Sequence, residues 1–233
     1  MAISLKVATL NLHNRQDHWA QRRHLVVSEI MDQLPDLVSL QEINFPTGQG
    51  KWLRNQINTR LSGSPRRPYR LLQKRLFHLV QGYFEGVGIL TQLPVISYDS
   101  INLGYDGRVA LRANVSLPSG DSLDFVATHL HAVAYDREAR VEQVMLLAGW
   151  LNDVGRVPMQ VIAGDFNEVP DGPAILQMKQ TYNSALEIAR GREPVATYPT
   201  ALSQNSDGWS GCLDYIFISS NIKVQSASIF AKK

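Results

Sequence analysis

The sequence predicts an α/β domain in which two mixed β-sheets pack face to face with helices outside, a four-layer α/β sandwich. Three observations carry that reading. Strand–helix units open the chain, short β-type runs with hairpin spacing fill its middle, and a second helix–strand alternation leads into closing strands.

Each element follows from periodicity and punctuation. Leu5 to Leu10 reads as a short buried strand, and Trp19 to Leu34 places Val26, Ile30 and Leu34 at helical spacing until Pro35 ends the helix. Leu37 to Leu40 reads as a second buried strand. Trp52, Leu53, Ile57 and Leu61 then repeat at helical intervals up to the Ser62-Gly63-Ser64-Pro65 break. Five β-type runs follow, Tyr69 to Leu72, Val87 to Leu90, Val95 to Leu103, Val109 to Leu117 and Leu123 to Thr128, separated by Gly and Pro. Asp136 to Leu151 is again helical, Met159 to Ala163 is a strand, and a helix starts at Pro173. After a polar loop around Ser203 to Gly211, Leu213 to Ile218 and Val224 to Phe230 are expected as the closing strands.

Composition narrows the class. A chain of 233 residues with 44% hydrophobic and 19% charged content can bury one large core, so residues 1–233 are read as a single domain. A net charge of +2 is too mild to indicate a polyanion partner by itself. The single cysteine, Cys212, excludes an internal disulfide and a four-cysteine metal site, which fits a reducing, cytoplasmic setting. The first residues lack a basic stretch followed by an apolar core, and no apolar run approaches membrane-spanning length, so no export signal or membrane anchor is expected. A monomer is the provisional expectation.

The chemistry gathers where apolar strands end. Asn11 follows Val7 to Leu10, Glu42 follows Leu37 to Leu40, and His129 follows Phe125 to Thr128. Asp165 and Asn167 follow Val161-Ile162-Ala163-Gly164, and Asp214 sits inside the apolar run Leu213 to Phe217, where a carboxylate needs a partner. Two amides, three carboxylates and one imidazole make an oxygen-rich set, suited to hard magnesium or manganese rather than zinc. Hydrolysis of a phosphodiester needs a positioned water, a base, stabilisation of charge on the phosphoryl oxygens and help for the leaving oxygen. These residue types can supply all of them. Each alone is more often structural, since Gly, Asp and Asn form turns and caps; their joint order decides.

That order is specific. Asn11 in ATLNLHN, Glu42 in SLQEI, THL at 128–130, GDFN at 164–167 and LDYIF at 213–217 follow the order of a known family and span nearly the whole chain. The chain thus resembles the endonuclease/exonuclease/phosphatase superfamily, which includes pancreatic-type deoxyribonucleases, abasic-site endonucleases, sphingomyelinases and inositol polyphosphate phosphatases. The resemblance implies a deoxyribonuclease-like fold and metal-dependent hydrolysis of a phosphoester, as a phosphodiesterase or nuclease. It also implies roles: Glu42 binds the divalent metal with Asn11 beside it, Asp165 orients or deprotonates the attacking water, and Asn167 donates to a phosphoryl oxygen. His129 would bind phosphate or donate a proton.

One family element is missing. The counterpart of Asp214 pairs with a histidine in a Ser-Asp-His motif near the C-terminus, yet the histidines here are His13, His18, His24, His78, His129 and His131, none beyond Asp214. The favoured expectation is a truncated chain lacking its last strand, leaving a neighbouring strand edge open. The alternative is a catalytically silent phosphate-binding module.

Substrate is open between nucleic acid, lipid head group and small phosphoester. Compactness and mild charge favour a small or generic phosphodiester, whereas Arg60, Arg66, Arg67, Arg70, Lys74 and Arg75, with Tyr69 among them, could contact a polyanion or form a solvated hairpin. Arg137 and Arg140 on one helix could reach a phosphate or lie on its surface, and the directions of Arg108 and Arg112 are undetermined. His131 is expected to be peripheral and Cys212 inert.

Overall fold

Period-two alternation assigns every strand residue to one of two faces, and that assignment builds the layers. The protein, seen as a computed structural model, is described over residues 3–16, 18–76, 84–153, 157–199 and 208–230. Strand β1 (Val7–Asn11), helix α1 (Trp19–Gln33), strand β2 (Leu37–Gln41), helix α2 (Gln49–Leu61), β3 (Arg70–Arg75) and β4 (Gly86–Thr91) form the first half. Their strands make a four-stranded sheet of order β1-β2-β4-β3, with β1 and β2 parallel and β1 at one edge. The second half runs β5 (Val95–Asn102), β6 (Val109–Ser116), β7 (Ser122–His129), α3 (Arg137–Asp153), β8 (Gln160–Asp165), α4 (Pro173–Met178), β9 (Asn183–Ser184), α5 (Ala185–Arg190) and β10 (Asp214–Ile218). Its sheet has the order β5-β6-β7-β8-β10-β9, with β7 and β8 parallel and β10 antiparallel to β8.

Alternate residues go to different cores. Leu37, Val87 and Ile89 of the smaller sheet meet Val109, Leu111, Phe125, Ala127, Val161 and Ala163 of the larger one in the central layer. Their chain neighbours Val38, Leu40 and Leu90 face outward onto Val26, Ile30, Leu53 and Ile57 of α1 and α2. On the other side Ala110, Val126 and Ile162 face Val144, Leu147 and Ile175 of α3 and α4. Helix, sheet, sheet, helix is the expected four-layer sandwich.

The expected elements are present within a few residues at their ends, with one correction. Val224 to Phe230 is not a strand, because its backbone finds no ladder partner among the described residues. Side-chain contacts hold it instead: Ser4 Oγ donates to Gln225 at 3.0 Å, Val224 packs on the central core, and Phe230 packs on the α1–α2 core. Strand β9 and helix α5 carried too few periodic residues to be read from the sequence. Most of the expected loop around Ser203, and His78, lie outside the described residues. Among the described residues no helix is long and apolar enough to cross a membrane.

Candidate active site

Strand register brings the polar strand ends together. In the parallel pair β7–β8, His129 is opposite Asp165, and in the antiparallel pair β8–β10, Asp214 is opposite Asp165 from the other side. Asp165 is therefore flanked by an imidazole and a carboxyl on neighbouring strands. Gly164 makes this close register possible, since a Cβ there would lie 2.1 Å from the Thr128 carbonyl oxygen. The glycine of GDFN is needed for strand approach.

Asn11 joins the two sheets. Its Nδ2 donates to Glu42 Oε1 at 3.0 Å and to Asp165 Oδ2 at 3.0 Å, while its Oδ1 accepts from the His13 amide at 2.8 Å. The other oxygen of Asp165 accepts from the Asn167 backbone N–H at 2.9 Å. Asn167 has a left-handed backbone, φ 49°, which asparagine tolerates better than most residues, and its Nδ2 donates to the Leu130 carbonyl at 3.1 Å. Glu42 is likewise left-handed, at φ 53°. Burial, then the charge of Glu85, push the Glu42 carboxyl up to about 7 against the lowering effects of Asn11 and His13. Burial likewise raises Asp165 above the usual carboxylate range, with Asn11, the Asn167 amide, Arg108 and His13 opposing it.

His129 is fixed in charge and tautomer by Arg108. The buried Arg108 directs Nη1 to His129 Nδ1 at 2.8 Å and lies 3.7 Å from Glu85 Oε1. A guanidinium can only donate, so Nδ1 must accept and the ring proton sits on Nε2, which is 3.9 Å from Asp165 Oδ2. Burial, Arg108 and His13 hold the His129 pKa well below its ordinary value, so the imidazole is neutral at physiological pH. It is an N–H donor rather than a ready acid. Arg108 Nε is buried with no hydrogen-bond partner among the described residues.

Asp214 is held by Thr197, whose Oγ1 accepts from the Asp214 and Leu213 amides at 3.1 and 3.0 Å. Burial and the adjacent Asp165 push its carboxyl up to about 8, although a hydrogen bond from Thr197 acts in the opposite direction. Asn11, Glu42, Asp165, Asn167 and Asp214 line one part of a 1340 Å³ groove that continues between β1 and β10. His13 lines it as well.

All six expected site residues thus converge, and His13, Glu85 and Arg108 join them. Sequence reasoning left out His13 and Glu85 and did not orient Arg108, because only the register of β4 and β6, and the left-handed turn at His13 (φ 51°), bring them to the site. The other arginines weighed from the sequence do not join them, among the described residues. Arg112 is spent on Asp99 at 2.8 Å and Asp124 at 3.2 Å. Arg140 is fully buried and paired with Glu168 at 3.1 Å, so it is not a surface residue. The Arg60 to Arg75 run does not form one patch: Arg66 is tied to Leu34 and Gln92, while Arg70 and Arg75 sit at opposite ends of β3, roughly 17 Å apart at strand rise. His131 lies between Asp106 at 2.6 Å and Asp136 at 3.2 Å, and Cys212 is buried with its thiol pushed up to about 12.

The donor set suits a hard divalent cation. Among the described residues no group of three or more His, Cys, Asp and Glu forms a cage, and one carboxylate plus an amide matches ions that keep several waters.

The two-sheet sandwich with helices outside is the fold of solved endonuclease/exonuclease/phosphatase proteins. Residues 8–232 match the sequence model of the endonuclease/exonuclease/phosphatase family, and the chain belongs to that family. It is 23% identical over 207 residues to the uncharacterized protein YbhP of Escherichia coli K12, covering 83% of this chain and 75% of that protein. In structure it is similar to the human Nocturnin catalytic domain with bound sulfate, with TM-score 0.74 at 20% identity over 93% of this chain and 83% of that one. A mannosyl-6-phosphatase of Bacteroides thetaiotaomicron matches at TM-score 0.69 and 19% identity over 94% and 86% of the two chains. At such identities these structures speak for the fold.

Proposed function

We propose that this protein hydrolyses phosphoester bonds, as a phosphodiesterase or nuclease, with magnesium or manganese. The observation that carries the reading is the Asn11 amide bridging Glu42 and Asp165, which sets a ligand for a cation and a base for water side by side from two different sheets.

Glu42 would hold the cation with Asn11 beside it; when bound, the cation supplies charge neutralisation at a phosphoryl oxygen and favours the ionised carboxylate. Asp165 aligns the attacking water and takes its proton, a task suited to a carboxyl whose proton affinity is raised by burial. His129 offers Nε2–H, and Asn167 Nδ2, which lines the groove, offers a further donor where charge develops on the phosphoryl oxygens. Asp214 lies next to Asp165, where its charge state adjusts that of the base. Nocturnin's bound sulfate supports an oxyanion site in this fold.

The test is hydrolysis of nucleic-acid, mannose-6-phosphate and bis(p-nitrophenyl) phosphate substrates with magnesium, manganese or chelator, comparing wild type with Asp165→Asn. Turnover that needs the metal and is lost in the variant is expected. A folded wild type that binds phosphate without turnover would instead identify a binding module.

A further inference from the structure

Helix α3 has little amphipathic character because its inward face carries polar groups: Arg140 and Gln143 are both buried, one turn apart. Their partners lie in the loops that bear the site. Arg140 Nε donates to Glu168 Oε2 at 3.1 Å, and Nη1 donates to the carbonyls of His131 and Val133 at 3.3 and 2.7 Å. Nη2 donates to the carbonyl of Ala134 at 3.0 Å. Gln143 Oε1 accepts from the His131 amide at 2.8 Å. One guanidinium therefore ties the segment that follows His129 to the residue that follows Asn167.

Glu168 is as tightly placed. It is 2% exposed, its Oε1 accepts from the Val169 amide at 3.2 Å, and its carbonyl accepts from Tyr215 Oη at 2.9 Å. Its side chain lies over the backbone of Gly172, where a Cβ would come within 2.3 Å of it. Gly172 has φ −74°, open to any residue, so the space for Glu168 is what requires a glycine there. The same two loops are stitched at the site by Leu130 N–H to the Asp165 carbonyl at 3.0 Å and by Asn167 Nδ2 to the Leu130 carbonyl at 3.1 Å.

A dry ion pair of this kind is weak evidence for stability, since hydrophobic replacement of both partners is often neutral or stabilising. Its geometry serves alignment. We infer that Arg140 and Glu168 are positioning residues, a clamp that fixes Asn167 and His129 relative to Asp165 without touching the substrate. This rests on the phosphoesterase reading for its catalytic consequence, though not for its structural one.

The experiment compares wild type, Gly172→Ala, Glu168→Gln, and the double replacement Arg140→Met with Glu168→Met, which leaves no buried charge unpaired. For each, Tm, kcat and KM are measured on the substrate that wild type turns over best, together with amide hydrogen exchange at Leu130, His131 and Asn167. The double variant should lose some Tm, because the carbonyls of His131, Val133 and Ala134 lose their donor; well below that Tm it should keep KM within about threefold while kcat per folded molecule falls about tenfold or more, as displaced catalytic groups predict. Exchange at the three amides should accelerate, with β2 and β4 unchanged. A folded double variant with kcat within twofold of wild type, or with unaltered exchange at those amides, overturns the clamp. Should wild type show no turnover, the phosphoesterase reading fails and the exchange data alone decide the clamp.

Discussion

Asn11 Nδ2 lies 3.0 Å from Asp165 Oδ2, and this hydrogen bond crosses from the end of β1 in one sheet to the end of β8 in the other. The same nitrogen serves Glu42, so one amide lowers the cost of ionising both carboxyls. Asn11→Ala should therefore weaken metal use and base function together. The expected result is a fall in kcat of about 10²-fold, the scale of losing one preorganised donor, with a higher magnesium concentration for half-maximal rate. An unchanged metal dependence would remove Asn11 from the cation's surroundings.

The contact between Arg108 and His129 makes a spectroscopic prediction. Nitrogen-15 shifts of His129 should report a neutral ring protonated on Nε2 at pH 7, because Arg108 donates to Nδ1. Arg108→Gln removes one of the charges that depress His129, and its pKa should move up toward the ordinary value. A wild-type His129 that titrates near its ordinary value would contradict the neutral-donor role.

Much of the candidate site was legible because its polar residues sit where apolar strands end, so hydrophobic runs point at Asn11, Glu42, His129 and Asp165. Asp214 was legible for a different reason, as a carboxylate inside the apolar LDYIF run. Arg108 was not, because whether a strand-end arginine faces the site or solvent depends on the register of β6 against β7, which periodicity does not set. Arg140 was misjudged for a related reason: its helix reads as exposed at that position, and its buried acceptors are carbonyls and Glu168, invisible in a hydrophobic pattern. The strand expected at Val224 to Phe230 failed because β-propensity describes a half-buried surface and carries no information on a pairing partner.

Asp214 predicts a pH dependence of stability. Its carboxyl is raised from 3.8 to about 8, so the folded state holds a proton that the unfolded chain has released. Stability from this group is full below its ordinary value and is lost as pH rises toward and through about 8. Without divalent metal, Tm should therefore fall across the neutral range, and Asp214→Asn should flatten that slope. Magnesium should raise Tm most at the alkaline end, where the carboxyls it neutralises are ionised, and chelator should reverse the gain. A metal-free wild type whose Tm rises from pH 6 to 8 would contradict the assignment.

Gly164→Ala tests whether the register of β7 and β8 builds the site. The added methyl would lie 2.1 Å from the Thr128 carbonyl oxygen and 3.1 Å from Thr128 Cγ2, and the first of these neighbours is backbone that can only yield by moving the strand. Overpacking of this kind costs about 1–3 kcal/mol. The movement would separate His129 from Asp165, which face each other one register step further along the same pair. Activity should therefore fall further than the loss of folded protein accounts for, measured as kcat per folded molecule at a temperature well below the variant's Tm. If the variant loses stability yet keeps full turnover per folded molecule, the spacing of His129 and Asp165 is not set by this strand pair, and the register argument for the site fails with it.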